Sequence, residues 1–364
     1  MSKASQRIFI SDCEGPISKN DNAFELATHY IPQGDNFFTL ISRYDDILAD
    51  IVKKPGYTAG DTLKLILPFL KAYGATNRGI TKYSSKNVLL VPGAKHMLQF
   101  VKAVMPSFIV STSYEQYMRA LCYLINFPRE NVYCTRLDLD KYKLQEKEEE
   151  RLKQLKEEMS ALPSLRIPRN AKTISDFPTH HQNAIKKLDE IFWKEISSMK
   201  IGKILSEVNP VGGYEKAEAV QNITSRLGNK LSDVMYVGDS ITDVSAFQLV
   251  REVGGLTLSF NGNEYAVREA EIAALSENAI VTAILADIFS RFGKNGVFKL
   301  LSEWNCKAFQ RYGVDPSLQK RALELYPEQL PQVEAITPDN KERLMRESSV
   351  FRKTVRGKAI GKLG

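Results

Sequence analysis

The stretch Arg7-Ile8-Phe9-Ile10-Ser11-Asp12-Cys13-Glu14-Gly15-Pro16 decides the reading of this chain. A short apolar strand runs straight into two carboxylates spaced two residues apart, and then into a Gly-Pro turn. Like charges this close raise each other's pKa unless a metal or a basic group neutralises them. In open α/β sheets the ligand site lies beyond the carboxyl ends of the strands. A strand tip that carries acids and then Gly is therefore the first place to look for chemistry.

Further runs have the same buried-strand character: short, β-branched and closed by polar residues or Gly. Beside Ile8–Ser11 they are Ser107–Ser111, Asn131–Thr135, Asp233–Gly238 and Gly255–Ser259. Helical spacing lies between most of them, as in Ala94, Leu98, Val101 and Val104, or Ala217, Val220, Ile223 and Leu227. Strand–helix alternation predicts an α/β fold, a doubly wound parallel sheet with right-handed crossovers. The core is expected at residues 1–16, 91–137 and 201–290. Two connections are too long for simple crossovers. Residues 17–90 have helical stripes, one of them Phe37, Leu40, Ile41, Tyr44, Ile47 and Leu48. Residues 138–200 begin with a charged helix over Leu144–Met159 and end in an amphipathic one near His181–Met199. Each is expected to be a helical insertion, with Leu152, Leu155 and Met159 packing inside the second. A helical extension with Pro breaks is expected over 291–340, and a basic tail over 341–364.

The 364-residue composition is ordinary, with 43% hydrophobic and 26% charged residues, as in soluble globular proteins. Apolar stretches such as Val88–Met105 and Ala279–Phe289 contain charges or Pro, which argues against a membrane span. The acidic motif follows the first strand too soon for a signal peptide. Cys13, Cys122, Cys134 and Cys306 show no metal-ligand spacing and suit reduced thiols, so the expected compartment is the cytoplasm. The net charge of +7 belongs to the tail, where eight basic side chains face two acidic ones and leave the rest near +1. Nucleic acid is therefore not the expected partner. Arg352–Lys362 is expected to be a disordered, solubilising end.

Four features stand in order at strand or helix ends. They are Asp12-x-Glu14, the hydroxyl run Ser111-Thr112-Ser113, Lys216 after Gly212-Gly213, and Gly238-Asp239-Ser240-x-x-Asp243. A carboxylate can attack phosphorus and form an acyl-phosphate, dividing a hard displacement into two easier steps. Nucleophile and phosphoryl group are both anionic, so a hard divalent cation such as Mg²⁺ suits the all-oxygen site. Hydroxyl and ammonium groups at neighbouring strand ends can hold the equatorial phosphoryl oxygens. A lysine in a first helical turn opposes the helix dipole unless an anion lies close by. The pair His180-His181 cannot share a helix face and is expected in a surface loop. Asn261-Gly262-Asn263 is expected to be a turn after the last strand.

The set of four motifs resembles the haloacid dehalogenase superfamily, over about residues 7–16, 91–137 and 212–290. The resemblance implies a Rossmann-like core with caps at the two insertions. It makes Asp12 the nucleophile and Glu14 a general acid/base that also ligates Mg²⁺ through its backbone carbonyl. It makes Ser111 and Lys216 the phosphate contacts; within the hydroxyl run, Thr112 and Ser113 are alternatives that can share the role of Ser111. It makes Asp239 and Asp243 the acids that hold Mg²⁺ alongside Asp12, the first as a ligand and the second in support of the metal shell. The implied activity is Mg²⁺-dependent hydrolysis of a small phosphorylated metabolite through an aspartyl-phosphate. The alternatives are a non-catalytic phosphate-sensing or assembly subunit and a phosphomutase-type phosphotransferase. The run from Phe9 to Asp21 also looks like an archaeal group described as a subunit associated with an energy-converting hydrogenase. Two residues depart from the usual pattern. Glu14 stands where Asp is common, moving the acid by roughly 1 Å, although enolase-phosphatases of the superfamily also carry Glu there. Pro16 replaces a Thr or Ser and has neither a hydroxyl nor a backbone N–H.

Overall fold

A computed structural model of the chain describes residues 6–168 and 170–363. Residues 1–5 of the expected core and Gly364 of the expected tail lie outside the described residues. The strands are β1 (Ile8–Ser11), β2 (Ser107–Tyr114), β3 (Val132–Thr135), β4 (Val234–Gly238), β5 (Leu256–Phe260), β6 (Ile272–Leu275) and β7 (Gln332–Ala335). They form one sheet in the order β3-β2-β1-β4-β5-β6-β7. Every pairing is parallel except β6 with β7. The doubly wound α/β sheet read from the sequence is the observed fold. The order reverses at β1, which pairs with β2 on one side and β4 on the other. The crevice at such a switch point is where ligands bind in these sheets.

The helices, in chain order, are α1 (Asn22–Tyr30), α2 (Gly34–Asp46), α3 (Thr62–Ala72), α4 (Asn77–Asn87), α5 (Ala94–Val104), α6 (Glu115–Ile125), α7 (Glu146–Ser160) and α8 (Thr179–Glu190). They continue with α9 (Ile204–Glu207), α10 (Gly213–Leu227), α11 (Val244–Glu252), α12 (Glu264–Glu269), α13 (Ile280–Leu301), α14 (Cys306–Arg311), α15 (Pro316–Leu325) and α16 (Lys341–Arg356). Strand side chains alternate between the two faces. Phe9, Ile109, Met235 and Leu258 pack towards Leu98 of α5, Leu121 of α6 and Ile284 of α13. Ile8, Ile10, Val110 and Tyr236 pack towards Val220 of α10 and Phe247 of α11. Cover on both faces explains why the strands are continuous apolar runs with no polar alternation.

The two insertions build one helical unit. Phe37, Ile41 and Phe69 from the first share a buried cluster with Leu152, Leu155, Met159 and Phe192 from the second. The stripe on α7 thus packs across the insertions, against α2 and α3. Tyr44 ties the unit together. It is fully buried, stacks on Phe192, donates to Asp189 Oδ1 at 2.5 Å and accepts from Trp193 Nε1 at 2.8 Å.

Some expectations are corrected. His180 and His181 lie in the first turn of α8 rather than in a loop, and His181 is buried. Asn261-Gly262-Asn263 follows β5, but two further strands come after it. The expected disordered end, Arg352–Lys362, is ordered: Arg352–Arg356 completes α16 and Ile360–Lys362 forms a short turn. Most of the charge of α16 lies outside one face, but Leu344, Ser348, Arg352 and Arg356, every fourth residue of the helix, are buried. That face packs on α12 and β6. No described helix is long and apolar enough to cross a membrane.

Candidate active site

The carboxyl ends of β1, β2 and β4 converge on a cavity of about 90 Å³ lined by Asp12, Glu14, Thr112 and Asp239 among others. Asp12 follows β1 directly and is 4% exposed. Its Oδ1 accepts from the Cys13 amide at 2.6 Å, and its backbone amide donates to Val237 O at 2.8 Å, which locks the tip of β1 to β4. The turn beyond it closes through the amides of Gly15, Ile17 and Ser18. It needs no N–H from residue 16, so Pro16 fits without a lost bond. Gly15 is required here. Its φ is +108°, and a Cβ would lie 2.0 Å from Asp239 Oδ2. The backbone of the first motif is therefore pressed directly against the carboxylate of the last.

Lys216 sits at the start of α10 and is fully buried. Its Nζ lies 2.9 Å from Asp12 Oδ2 and 2.8 Å from Asp243 Oδ1. Burial alone would push its pKa down, but Asp12 and Asp243 outweigh it and hold the ammonium above its ordinary value. Asp243 is the most fully occupied acid of the group. Its Oδ1 also accepts from Tyr236 Oη at 2.8 Å, and its Oδ2 accepts from the amides of Asp239 and Ser240 at 2.8 and 3.0 Å. Gly238 makes this possible, because a Cβ there would lie 2.4 Å from Asp243 Cγ.

Burial pushes the pKa of Asp12 up to about 7. Lys216 works against that rise, and Asp243 and Asp239 reinforce it. Burial likewise raises Glu14 well above the carboxylate range, with Asp21 adding to the rise. The Asn22 amide, which donates to Glu14 Oε1 at 2.6 Å, and Arg356 pull it back. A carboxyl raised in this way holds its proton to higher pH than an ordinary one, which suits a proton donor.

The expected hydroxyls separate. Thr112 is on the cavity wall. Ser111 is fully buried, its Oγ accepts from the Ser113 amide at 3.2 Å, and it is not among the lining residues.

Sequence reasoning missed two residues altogether. Arg352 and Arg356, from α16, reach into the cavity. Arg352 NH1 donates to both Asp239 Oδ2 and Asp239 O, and Arg356 NH1 lies 2.9 Å from the same Oδ2. Arg356 also donates to the carbonyls of Lys19 and Asn20. The signal was the spacing 344, 348, 352, 356, a stripe of one helix face. Acids of the first insertion complete the rim. Asp45 Oδ2 accepts from Thr62 Oγ1 at 2.7 Å and from the Gly60 amide at 3.0 Å, and the Tyr57 hydroxyl lies beside the same carboxylate.

Asp12, Asp239 and Asp243 each offer an oxygen within 4.8 Å of the others, all buried. An all-oxygen, anionic, compact set suits a hard divalent cation of the Mg²⁺ type. The crowding of Gly15 onto Asp239 places backbone beside that set as well.

A family model described as haloacid dehalogenase-like hydrolase matches residues 95–283. That span is more than half of the chain and contains Thr112, Lys216, Asp239 and Asp243. No curated protein matches. Among solved structures, the gene product AF1437 from Archaeoglobus fulgidus is similar over 99% of each chain, at 28% identity and a TM-score of 0.79. A substrate-bound phosphoserine phosphatase complex is similar at 13% identity and a TM-score of 0.43, over 78% of this chain and 98% of that one. The sheet order, the motifs at its switch point and the matched span agree, and the chain belongs to the haloacid dehalogenase-like hydrolases.

Proposed function

We propose that the protein hydrolyses phosphate monoesters of small metabolites, with Asp12 as nucleophile and Mg²⁺ as cofactor. The observation that carries this is the buried bridge of Lys216 between Asp12 and Asp243 at the sheet's switch point. Such a bridge, formed behind the cavity wall, holds the Asp12 carboxylate in place at that wall. Asp12 attacks phosphorus, and the ester oxygen leaves as the aspartyl-phosphate forms. Glu14 gives its proton to the departing alcohol, then takes one from the water that cleaves the acyl-phosphate. Thr112, on the wall, suits contact with a phosphoryl oxygen better than Ser111. Lys216 holds Asp12 in line and offsets charge on the transferring group. Asp12 and Asp239 would hold Mg²⁺, which neutralises the approach of two anions. Asp243, with both oxygens engaged, acts by positioning Lys216 and the Asp239 backbone. The helical unit over the cavity excludes water and supplies the remaining contacts.

The test is turnover of an aryl phosphate by purified protein with Mg²⁺, beside Asp12→Asn. The variant is expected to fold and to lose turnover by at least three orders of magnitude. Undiminished turnover in Asp12→Asn overturns the mechanism.

A further inference from the structure

The cationic end of α16 does something that the proposed reaction does not need. Leu344 packs with Val267, Ala273 and Leu275, and Ser348 Oγ donates to Gly262 O at 2.6 Å. These two contacts anchor the first half of the helix to the core. The second half carries two buried guanidinium groups into the same cavity as Asp12 and Glu14.

Both guanidinium groups converge on one atom, Asp239 Oδ2. One carboxylate oxygen thus faces two positive charges, and Arg352 Nε is buried with no acceptor among the described residues. Arg356 is better satisfied, because the carbonyls of Lys19 and Asn20 hold its other nitrogens. Asp239 is also one of the three acids whose oxygens crowd together as a metal-sized set. A divalent cation drawn to that set would meet two guanidinium groups already bound to one of its ligands. Like charges at contact distance in a buried site repel strongly, since little solvent screens them.

We propose that Asp239 has two mutually exclusive cationic partners, the Arg352/Arg356 pair of α16 and a divalent cation, so that the C-terminal helix controls metal uptake at this site. In one state the arginines neutralise Asp239, and α16 is docked along its whole length. In the other the cation takes Asp239 Oδ2, and the helix end beyond Ser348 gives up its contacts with Asp239. The anchors at Leu344 and Ser348 persist in both states. The proposal rests on the metal site named under the proposed function, but not on the hydrolysis itself.

The experiment titrates Mn²⁺ into the full-length protein, with binding read by electron paramagnetic resonance, and Mg²⁺ as competitor. Wild type is compared with Arg352→Gln, Arg356→Gln and the double variant, and with Asp239→Asn as the ligand-loss control. The double variant is expected to bind Mn²⁺ at least tenfold more tightly than wild type, and Asp239→Asn to bind at least tenfold more weakly. In wild type, hydrogen exchange of the backbone amides of 349–356 is expected to speed up on adding Mg²⁺, while that of 344–348 stays unchanged. This second measurement needs no variant and stands even if the double variant does not fold. Equal or weaker Mn²⁺ affinity in a folded double variant overturns the proposal. So does unchanged exchange over 349–356 at saturating Mg²⁺, or no metal binding by any of the proteins. Tighter binding without aryl phosphate turnover in any of them would instead remove the phosphatase reading and leave the competition standing.

Discussion

Asp243 offers a test in which the sign of the effect separates two views of the acidic cluster. If Asp243 were a free metal ligand, removing its charge from metal-free protein would relieve repulsion with Asp12 and Asp239, and would stabilise the fold. The structure argues for the opposite sign. Asp243 is fully buried, and each oxygen already accepts two hydrogen bonds, from Lys216 and Tyr236 on one side and two backbone amides on the other. Asn at this position has one acceptor oxygen and one NH₂ group. Whichever way it turns, the NH₂ faces two donors, and Lys216 keeps only Asp12 as an anionic partner. Breaking a buried ion pair by removing one member typically costs about 3–5 kcal/mol. With a urea dependence near 3 kcal/mol/M, that is a midpoint shift of roughly 1–2 M. Tyr236→Phe removes one neutral donor and leaves the ion pair, so about 0.5–1.5 kcal/mol is expected. Both variants are compared with wild type in urea with EDTA present. A stable or stabilised Asp243→Asn, or a Tyr236→Phe that loses as much as Asp243→Asn, refutes the assignment of Asp243 as a hydrogen-bonded hub.

Gly15→Ala combines a positive φ with a Cβ placed on the Asp239 carboxylate, so it is expected to cost about 2–4 kcal/mol. It should also abolish aryl phosphate turnover. A variant with wild-type stability and rate would show that the turn relaxes freely. Asp45 gives a prediction in pH. Burial, reinforced by Asp61 and Asp46, raises its carboxyl from 3.8 to about 7. The native state therefore holds a proton that the unfolded state releases above about pH 4. Its contribution makes stability fall as pH rises from about 4 to about 7, with a constant penalty beyond. A rise of that size is worth at most about 4 kcal/mol. The stability difference between Asp45→Asn and wild type should shift in favour of the variant across this window and then level off. Urea melts at pH 4.5, 6 and 8 check it, and a pH-independent difference refutes it.

The sheet and the motif residues were legible because their signals are local. Ile8–Ser11 and Val234–Gly238 are short apolar runs closed by acids, and buried parallel strands leave that trace in any context. Lys216 betrayed itself as a cation at the wrong end of a helix, and its anions are Asp12 and Asp243. The strands at the far edge were harder. Ile272–Leu275 contains two alanines and lacks a distinctive β signal, and Gln332–Ala335 is a polar edge strand that pairs on one side only. The choice between Ser111 and Thr112 depends on which residue of β2 faces the cavity, and the hydroxyl run alone does not distinguish them. Nor does spacing within an insertion say that Tyr44 of one meets Phe192 and Trp193 of the other.

The C-terminal helix was missed for a different reason. Net charge sums over every face of a segment, whereas burial acts on one face at a time. Lys341–Arg356 carries enough charge to read as solvated, yet positions 344, 348, 352 and 356 form a single stripe. The stripe is unusual because its last two members are arginines rather than aliphatic residues. A buried guanidinium needs a buried anion, so two of them on a docking face demand an acidic surface elsewhere in the fold. The sequence contains such a surface in Asp12, Asp239 and Asp243. The same acids that called for a metal or a basic group at the outset therefore have two possible answers. Lys216 is one part of the basic answer, fixed between Asp12 and Asp243. Arg352 and Arg356 complete it at Asp239, and they arrive on a helix that stands outside the sheet that holds the acids.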